Sequence, residues 1–384
     1  MMWEKTTIGK HCTVTSSKRF HLSDRSDSGI PFYCSKEIIQ KVNGQEITDY
    51  DYIKVEAYEE VKKKFGVPEC GDLLITTRGT YGIPYLYNAE DKFYFADGNL
   101  TWLKDFDDLL VAEFLYYWIL SYEGQKKIDA IAKGTAQKAV PIALIKDIEL
   151  SIPDVEMQKK IAKILTTYDD FIENNRKQIK LLEEAAQRLY KEWFVDLRFP
   201  GYEDVKVVDG VPEGWRKANL PEISPIVTGK KDANFGTTDG KYLFFTCAQE
   251  PIKAPAFSFD CDAVILAGNG DFNVKLYRGQ FEVYQRTYVF SPYNSEYLYL
   301  LYYAVKENVR QLFQGASGST IKFLTKRMLE EILVFVPDKK ILELFNQNCE
   351  MFQKKIEALK AQISLAQEAR DRLLPKLMSG EIEV

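Results

Sequence analysis

Two segments of the chain carry apolar residues at alternating steps of four and three. In the first segment these positions are Ile161, Leu165, Tyr168, Ile172, Asn175, Ile179, Leu182, Ala186, Leu189 and Trp193. In the second segment they are Phe345, Cys349, Phe352, Ile356, Leu359, Ile363, Ala366, Arg370, Leu373 and Leu377. A 3.5-residue spacing sustained over this length predicts two coiled-coil helices. Asn175 is a polar member of the first seam, and a seam asparagine commonly fixes the register at some cost in stability.

Each helix should contain about 40 residues and span roughly 60 Å. A helix of that length extends beyond a compact domain, so most of its seam needs a partner. The other helix of the same chain is the simplest partner, and packing of each helix on its own domain is the alternative. A two-fold relation between the two segments would make the helices antiparallel.

The segments before the two helices repeat each other at an offset of 184 residues. Residues 134–138 (GTAQK) match residues 318–322 (GSTIK), and residues 150–154 (LSIPD) match residues 334–338 (VFVPD). The repeated unit is therefore predicted as a loop, a short helix, an apolar strand, a Pro-Asp pair and a long helix. The aspartate of each Pro-Asp pair can cap the N-terminus of the helix that follows.

The beginnings of the two halves also match, although more weakly. Trp3 corresponds to Trp215, Phe32-Tyr33 to Phe244-Phe245, and residues 72–75 resemble residues 262–265 at a different offset. The middles differ in sequence and spacing. This pattern predicts two mixed α/β (α+β) domains that share a frame and differ in loops, which suits related domains that contact different ligands.

Composition narrows the class of protein. The 384 residues have 46% hydrophobic content, which is enough for packed cores, and the longest apolar runs are too short for a membrane helix. The six cysteines form no C-x-x-C pair and only two histidines occur, so a disulfide framework or metal site is not expected and a reducing cytoplasm fits. The net charge of −5 argues against non-specific coating of nucleic acid but allows a reader with its basic residues on one face.

Four stretches together resemble the specificity subunit of type I restriction–modification systems. They are residues 134–153, the repeat of these at 318–337, the VPEGW segment at 211–215, and the RLLPKLMSGEI tail at 372–382. One departure is the N-terminus, which starts almost at Trp3 without the Pro-x-Gly-Trp lead-in of the second repeat.

The resemblance implies a domain plan with two target-recognition domains related by a pseudo-two-fold axis and separated by a long antiparallel two-helix coiled coil. The expected divisions are residues 1–153 for the first target-recognition domain, 154–196 for the central helix, 197–214 for a linker, 215–337 for the second domain and 338–384 for the C-terminal helix and tail.

The resemblance also implies a role without catalysis in this chain. Each domain would read one half of a bipartite site in double-stranded DNA, and the coiled coil would set the spacing between the halves. Two methyltransferase subunits would dock on it, and restriction subunits would join to form the cleaving complex. S-adenosylmethionine, ATP and magnesium would belong to those partners, so no cofactor or metal is expected here.

Motifs for other chemistry are weak. No G-x-x-x-x-G-K-S/T phosphate loop occurs. Residues 268–272 (GNGDF) distantly resemble an adenine-methyltransferase motif but lack its prolines, so a turn is the simpler interpretation. His11 and His21 are expected on the surface or in loops. A protein-binding scaffold with two adaptor domains remains the alternative function, and a stand-alone nuclease is a third.

DNA contact requires Lys and Arg for phosphates, and Arg, Lys, Asn or Gln for base edges. Predicted loops rich in Gly, Ser or Thr and basic residues supply the candidates. Those in the first domain are Lys18, Arg19, Arg78, Tyr81, Lys133, Thr135 and Lys138. Those in the second are Lys230, Lys231, Asn269, Asn273, Lys275, Arg286, Ser319 and Lys322. Arg78 and Arg286 come after or within apolar strands, where a base-reading side chain is held best.

Overall fold

A computed structural model describes residues 3–45, 47, 49–134, 138–270, 272–315 and 323–384. The chain forms two compact units, which we name unit 1 (Met1–Lys177 with Leu359–Val384) and unit 2 (Gln178–Ala358). The units differ from the sequence-based divisions, because each one includes part of both long helices. Unit 1 is therefore formed by two separate parts of the chain, one from each end.

Unit 1 contains ten strands, six complete helices and the first part of a seventh helix in the described residues. In chain order they are β1 (Glu4–Thr7), α1 (Ile8–His11), β2 (Thr13–Thr15), β3 (Arg25–Ser26), β4 (Ile30–Tyr33), α2 (Ser35–Val42), β5 (Asp51–Ile53), α3 (Val55–Phe65), β6 (Leu73–Thr76), β7 (Pro84–Leu86), β8 (Tyr94–Phe95), β9 (Leu100–Lys104), α4 (Ala112–Leu120), α5 (Tyr122–Ile131), α6 (Ile142–Ile145), β10 (Glu149–Ile152) and α7 (Val155–Tyr190).

Two four-stranded sheets and one strand pair organise unit 1. The sheets have the orders β2-β9-β6-β7 and β3-β5-β4-β8, and β1 pairs with β10. Strand β6 is buried along its whole length, which explains its unbroken apolar run. Its side chains pack on helix α4, whose Phe114, Leu115 and Trp118 lie in the same core.

Unit 2 begins within α7 and continues through ten strands. Its further elements are β11 (Val207–Val208), β12 (Val211–Pro212), β13 (Arg216–Asn219), α8 (Leu220–Ile223), β14 (Val227–Thr228), β15 (Tyr242–Phe245), β16 (Ile252–Ala254), β17 (Phe259–Ala267), β18 (Val274–Val283), β19 (Thr287–Phe290), α9 (Leu298–Gly315), α10 (Lys326–Glu330), β20 (Leu333–Val336) and α11 (Lys339–Met378), of which α11 ends in unit 1. One six-stranded sheet has the order β14-β19-β17-β18-β15-β16.

The repeat found in the sequence is a repeat of structure. Strand β1 pairs with β10 in the register Glu4↔Ile152, and β13 pairs with β20 in the equivalent register Arg216↔Val336. Helices α1 and α8 follow the first strand of each pair directly, and both have four residues. The long helices begin at the same point of the repeat, since Val155 and Lys339 are 184 residues apart.

The two predicted helix caps are present. The Asp154 carboxylate accepts a hydrogen bond from the Met157 amide at 2.9 Å, and the Asp338 carboxylate accepts one from the Ile341 amide at 3.1 Å. These bonds satisfy amide groups that have no partner inside the helix. The Pro-Asp pairs are therefore strand ends and helix caps.

The long helices contact each other in both units. In unit 1 the Asn175 side-chain amide donates to Gln362 Oε1 at 3.1 Å, and Arg370 Nη1 donates to Asp169 Oδ1 at 2.5 Å. In unit 2 Tyr190 lies with its ring centroid 6.3 Å from that of Phe345. The early part of α7 thus meets the late part of α11, and its end meets the beginning of α11. This pairing is antiparallel, and no predicted seam residue is exposed.

The prediction for His11 was wrong. This side chain is buried, with 8% of its surface exposed. Its Nε2 lies 2.7 Å from Thr6 Oγ1 and its Nδ1 lies 2.8 Å from Asp107 Oδ2. Partial desolvation raises the pKa of Asp107, but the His11 contact and two backbone amide hydrogen bonds together lower it by more. The net shift of this pKa is therefore downward. His11 therefore fastens the end of α1 to the loop before α4.

Candidate nucleic-acid interface

The central strands of both units end in the same hydrogen-bonded arrangement. In unit 1 the Thr77 amide donates to the Asn99 carbonyl at 2.8 Å, and the Val140 amide donates to the Thr77 carbonyl at 2.9 Å. Arg78 forms an isolated antiparallel bridge with Ala139. The end of β6 is thereby held between the turn before β9 and the loop before α6.

Unit 2 repeats these bonds with different residues. The Gly268 amide donates to the Arg286 carbonyl at 2.9 Å, and the Leu324 amide donates to the Gly268 carbonyl at 2.8 Å. Asn269 forms an antiparallel bridge with Phe323. Phe323 and Leu324 are 184 residues from Ala139 and Val140, so the correspondence agrees with the sequence repeat.

Two pairs of equivalent residues follow from these bonds. We call the hydrogen-bonded C-terminal ends of β6 and β17 the ladder ends of units 1 and 2. Arg78 and Asn269 occupy the first ladder-end position, and Asn99 and Arg286 occupy the second. The bonds equate Thr77 with Gly268, an offset of 191 residues, whereas residues 72–75 and 262–265 were matched at 190. The sequence match was therefore wrong by one residue, which in a strand exchanges the two faces.

Gly268 has a steric reason to be glycine. A Cβ atom at this residue would lie 2.4 Å from the Arg286 carbonyl oxygen. Strands β17 and β18 pair antiparallel, and between them Phe272 is buried and has a positive φ of 48°. A strand connection accounts for the glycines of the GNGDF segment.

Several of the loops predicted for DNA contact in unit 1 meet at the ladder end. Ser16 Oγ donates to the Leu100 carbonyl at 3.3 Å, which brings the loop before β3 to the start of β9. The Lys133 amide and carbonyl bond with Ala139, so the loop before α6 closes beside Arg78. The sequence could not show this convergence, because these residues are far apart in the chain.

The candidates in unit 1 differ in how their side chains are engaged. Lys133, Lys138 and Arg78 are exposed. Lys18 is also exposed, with its Nζ 4.4 Å from the centre of the Phe65 ring. Arg19 is held by Asp97, with Nη2 2.9 Å from Oδ2. Thr135 lies outside the described residues.

Tyr81 is partly buried in unit 1. It packs against the cluster that contains Ile128 and Ile75. Partial burial and a hydrogen bond with the Asp129 carboxylate raise the pKa of its hydroxyl. Its hydroxyl therefore already has a protein partner.

In unit 2, Lys231 lies next to the turn that carries Arg286. Its carbonyl accepts a hydrogen bond from the Gln285 amide at 2.9 Å, and its Nζ lies 4.4 Å from the centre of the Phe235 ring. Lys230 beside it is exposed. The 228–231 loop and the β18–β19 turn thus form one edge.

Asn273 and Lys275 tie down a neighbouring loop. Asn273 Nδ2 donates to the Cys247 carbonyl and Lys275 Nζ donates to the Ala248 carbonyl, both at 3.0 Å. Lys275 also donates to Asn273 Oδ1. Ser319 and Lys322 lie outside the described residues.

A cleft of about 500 Å³ lies at the ladder end of unit 2. Its lining includes both ladder-end residues, Asn269 and Arg286, together with Gln285, Tyr288 and Phe323. Tyr288 donates its hydroxyl to the Leu324 carbonyl at 2.9 Å, which joins two residues of the lining. A cleft lined by both polar and aromatic side chains can hold a flat polar ligand such as a base edge.

The described residues show no metal-binding group of three or more His, Cys, Asp or Glu side chains. Within the same part of the chain, no helix is both long enough and apolar enough to cross a membrane.

Known proteins provide an independent comparison. Residues 2–184 match a family model described as the type I restriction modification DNA specificity domain. The chain is 34% identical over 178 residues to the type I restriction enzyme EcoDI specificity subunit of Escherichia coli, a match that covers 45% of this chain and 39% of that protein. It is 24% identical over 384 aligned positions to the MjaIX specificity subunit of Methanocaldococcus jannaschii, covering 89% of this chain and 86% of that protein.

Residues 2–184 carry this DNA-specificity domain, and the chain as a whole is similar to type I specificity subunits. The family model covers the first half and the M. jannaschii relative extends through the second. The crystal structure of a type I S subunit from M. genitalium has the same fold, with a TM-score of 0.58 at 18% identity over 98% of this chain and 96% of that one.

Two features of this chain were missed in the sequence. Asn99 was not a candidate, because its equivalence to Arg286 becomes visible only through the ladder bonds. The second is an LYY triplet that occurs in α4 (Leu115-Tyr116-Tyr117) and in α9 (Leu301-Tyr302-Tyr303). A search for repeated triplets would have found it, and both tyrosine pairs pack edge to face.

Proposed function

We propose that this chain is the DNA-specificity subunit of a type I restriction–modification complex. Each unit reads one half of a bipartite double-stranded site, and the paired long helices set the spacing of the halves. One observation carries the proposal: the same ladder end is built twice on one frame, each time with a different set of Arg, Lys and Asn residues around it. Such a duplicated frame with different loops suits two different half-sites.

The charges at the ladder ends support DNA as the ligand. Arg78, Lys133 and Lys138 are exposed in unit 1, and Lys230 and Arg286 are exposed in unit 2. Phosphate contacts provide affinity that weakens with salt, whereas side chains held on strand ends provide base selection. The overall charge of −5 means that these cations act as local features of an otherwise acidic chain.

The proposal assigns catalysis to partner subunits. Two methyltransferase subunits dock on the helices and units, and restriction subunits join through them. S-adenosylmethionine, ATP and magnesium belong to those partners. This division is supported by the similarity of the chain to type I specificity subunits and by ladder ends that offer hydrogen bonding and charge.

An exchange of domains tests this function. Residues 1–153 are replaced by the matching segment of a relative with a different recognition site, and the chain is assembled with its methyltransferase partner. Sequencing of the methylated DNA should show one half of the site changed and the other half retained. A matched exchange of residues 215–337 should change only the other half.

A site that stays unchanged in both exchanges would refute the proposal. Methylation that no longer requires a bipartite site would refute it as well. A chain that binds the methyltransferase but gives the complex no sequence preference would be a protein-binding scaffold.

A further inference from the structure

We infer that the two ladder-end positions of each unit read bases, and that the two units use them in opposite order. The first position holds Arg78 in unit 1 and Asn269 in unit 2, and the second holds Asn99 and Arg286. This inference rests on the proposed function and deepens it, because it names the residues and the class of base that each one selects.

The backbone fixes both positions more firmly than a free loop would. The second ladder-end position bonds through its carbonyl to the strand that leads to the first, at 2.8 Å in unit 1 and 2.9 Å in unit 2. The first position is pinned on its other side by a bridge to Ala139 or Phe323. Readout requires side chains on such supported backbone, since small displacements remove paired hydrogen bonds.

In each unit the two positions lie at the same end of the central strand. In unit 1 the Arg78 guanidinium lies against Gly98, where a Cβ atom would be 3.7 Å from Nη2, and Gly98 directly precedes Asn99. In unit 2 Asn269 and Arg286 line one cleft of about 500 Å³. In unit 2 a single ligand can therefore contact both positions.

The four side chains are available to a ligand. Within the described part of the chain, none of them makes a side-chain hydrogen bond or ion pair, and Arg78 and Arg286 are exposed. Arg19 differs, because Asp97 already holds its guanidinium. Unpaired guanidinium and amide groups at the end of a buried strand are suited to an external partner.

Their chemistry assigns the bases. An arginine pairs with O6 and N7 of guanine through two hydrogen bonds, and an asparagine pairs with N6 and N7 of adenine. Unit 1 should therefore select guanine through Arg78 and adenine through Asn99. Unit 2 should select adenine through Asn269 and guanine through Arg286.

The test uses the full chain assembled with its methyltransferase partner. Four variants are compared with wild type by sequencing methylated DNA from a random pool: Arg78→Gln, Asn99→Ala, Asn269→Ala and Arg286→Gln. Arg216→Gln is the matched control. Arg216 lies on β13 beside Glu222, and β13 belongs to the repeated frame, whereas the ladder ends belong to the central strands.

The expected result is a site relaxed at one base pair by each variant. Arg78→Gln should reduce the preference for guanine and favour adenine, by roughly 5- to 150-fold in relative rate. Asn99→Ala should relax an adenine in the same half, and the two variants of unit 2 should relax bases in the other half. Arg216→Gln should leave the site unchanged.

An unchanged site in the Arg78 and Arg286 variants would overturn the inference, and so would changes confined to one half. If a variant complex fails to methylate, its binding to four duplexes that differ at the tested base pair is measured by competition. Retained wild-type preference would again overturn it. The wild-type complex tests the proposed function separately. If the methylated site is the same with and without this chain, the proposed function itself is rejected.

Discussion

At the scale of single residues, one polar cluster fastens the long helices to the core of unit 1. Asp169 on α7 accepts hydrogen bonds from Arg370 on α11 at 2.5 Å and from the Tyr117 hydroxyl on α4 at 2.6 Å. Burial and the Asp169 carboxylate raise the pKa of Tyr117. One carboxylate therefore joins three helices of the same unit.

We expect Asp169→Ala to lower the free energy of unfolding by about 2 kcal/mol, because it removes the shortest hydrogen bond of a half-buried guanidinium and of a buried hydroxyl, which keep only Asp371 and Thr166 as partners. Urea denaturation measures the change. The neighbouring exposed residue is the control, and Asp170→Ala should change stability by less than about 0.5 kcal/mol. Equal effects of the two substitutions would contradict the role given to Asp169.

This cluster also shows what a heptad pattern cannot reveal. Arg370 occupies a seam position by spacing alone, and its partner Asp169 lies beside the seam on the other helix. The spacing predicted the helix and its buried face. It could not predict the pairing, because a charged seam residue is acceptable only where the partner helix supplies an opposite charge.

At the scale of elements, the paired helices depend on their apolar seam. Ile172 on α7 is 3% exposed and Ile356 on α11 is 4% exposed. Replacing either by aspartate would bury a charge without a partner, which we expect to cost about 3 kcal/mol or more and to reduce assembly with partner subunits. Thermal unfolding and size-exclusion chromatography with the methyltransferase measure both effects.

The adjacent residue on the same helix is the matched control. Phe171 is 43% exposed, so Phe171→Asp introduces the same charge without full burial. It should leave stability within about 1 kcal/mol of wild type. An Ile172→Asp chain that keeps normal stability and assembly would mean that the helices do not need this seam.

The frame could be predicted from the sequence because it is repeated, whereas the ladder ends could be predicted only in part. Each repeat independently shows the same strand, Pro-Asp pair and helix, and agreement over that length indicates a structural repeat. The central strands β6 and β17 have different neighbouring sequences, so the sequence match between them was displaced by one residue. Asn99 was missed for the same reason, since its role depends on the strand opposite to it.

At the scale of the whole chain, the domain divisions drawn from sequence differ from the compact units. The sequence assigns residues 1–153 to the first target-recognition domain, and the core of unit 1 contains in addition Ile161 and Leu165 of α7 and Leu377 and Met378 of α11. No local pattern identifies which core receives the end of a helix. That assignment depends on contacts between residues hundreds of positions apart.

This composite core makes the last prediction specific to one unit. Leu377 is 1% exposed in the cluster that holds Ile8 and Phe114, so Leu377→Ala should cost about 2–5 kcal/mol through lost burial and the cavity that remains. Because the cavity lies in unit 1, amide hydrogen exchange should accelerate in residues 3–177 and much less in residues 178–358, although the substitution is only seven residues from the C-terminus. Leu365→Ala on the same helix is the control, since Leu365 is 66% exposed and should leave exchange unchanged in both units. Equal acceleration in both units would show that they unfold together, and no acceleration would show that the end of α11 is not part of the first core.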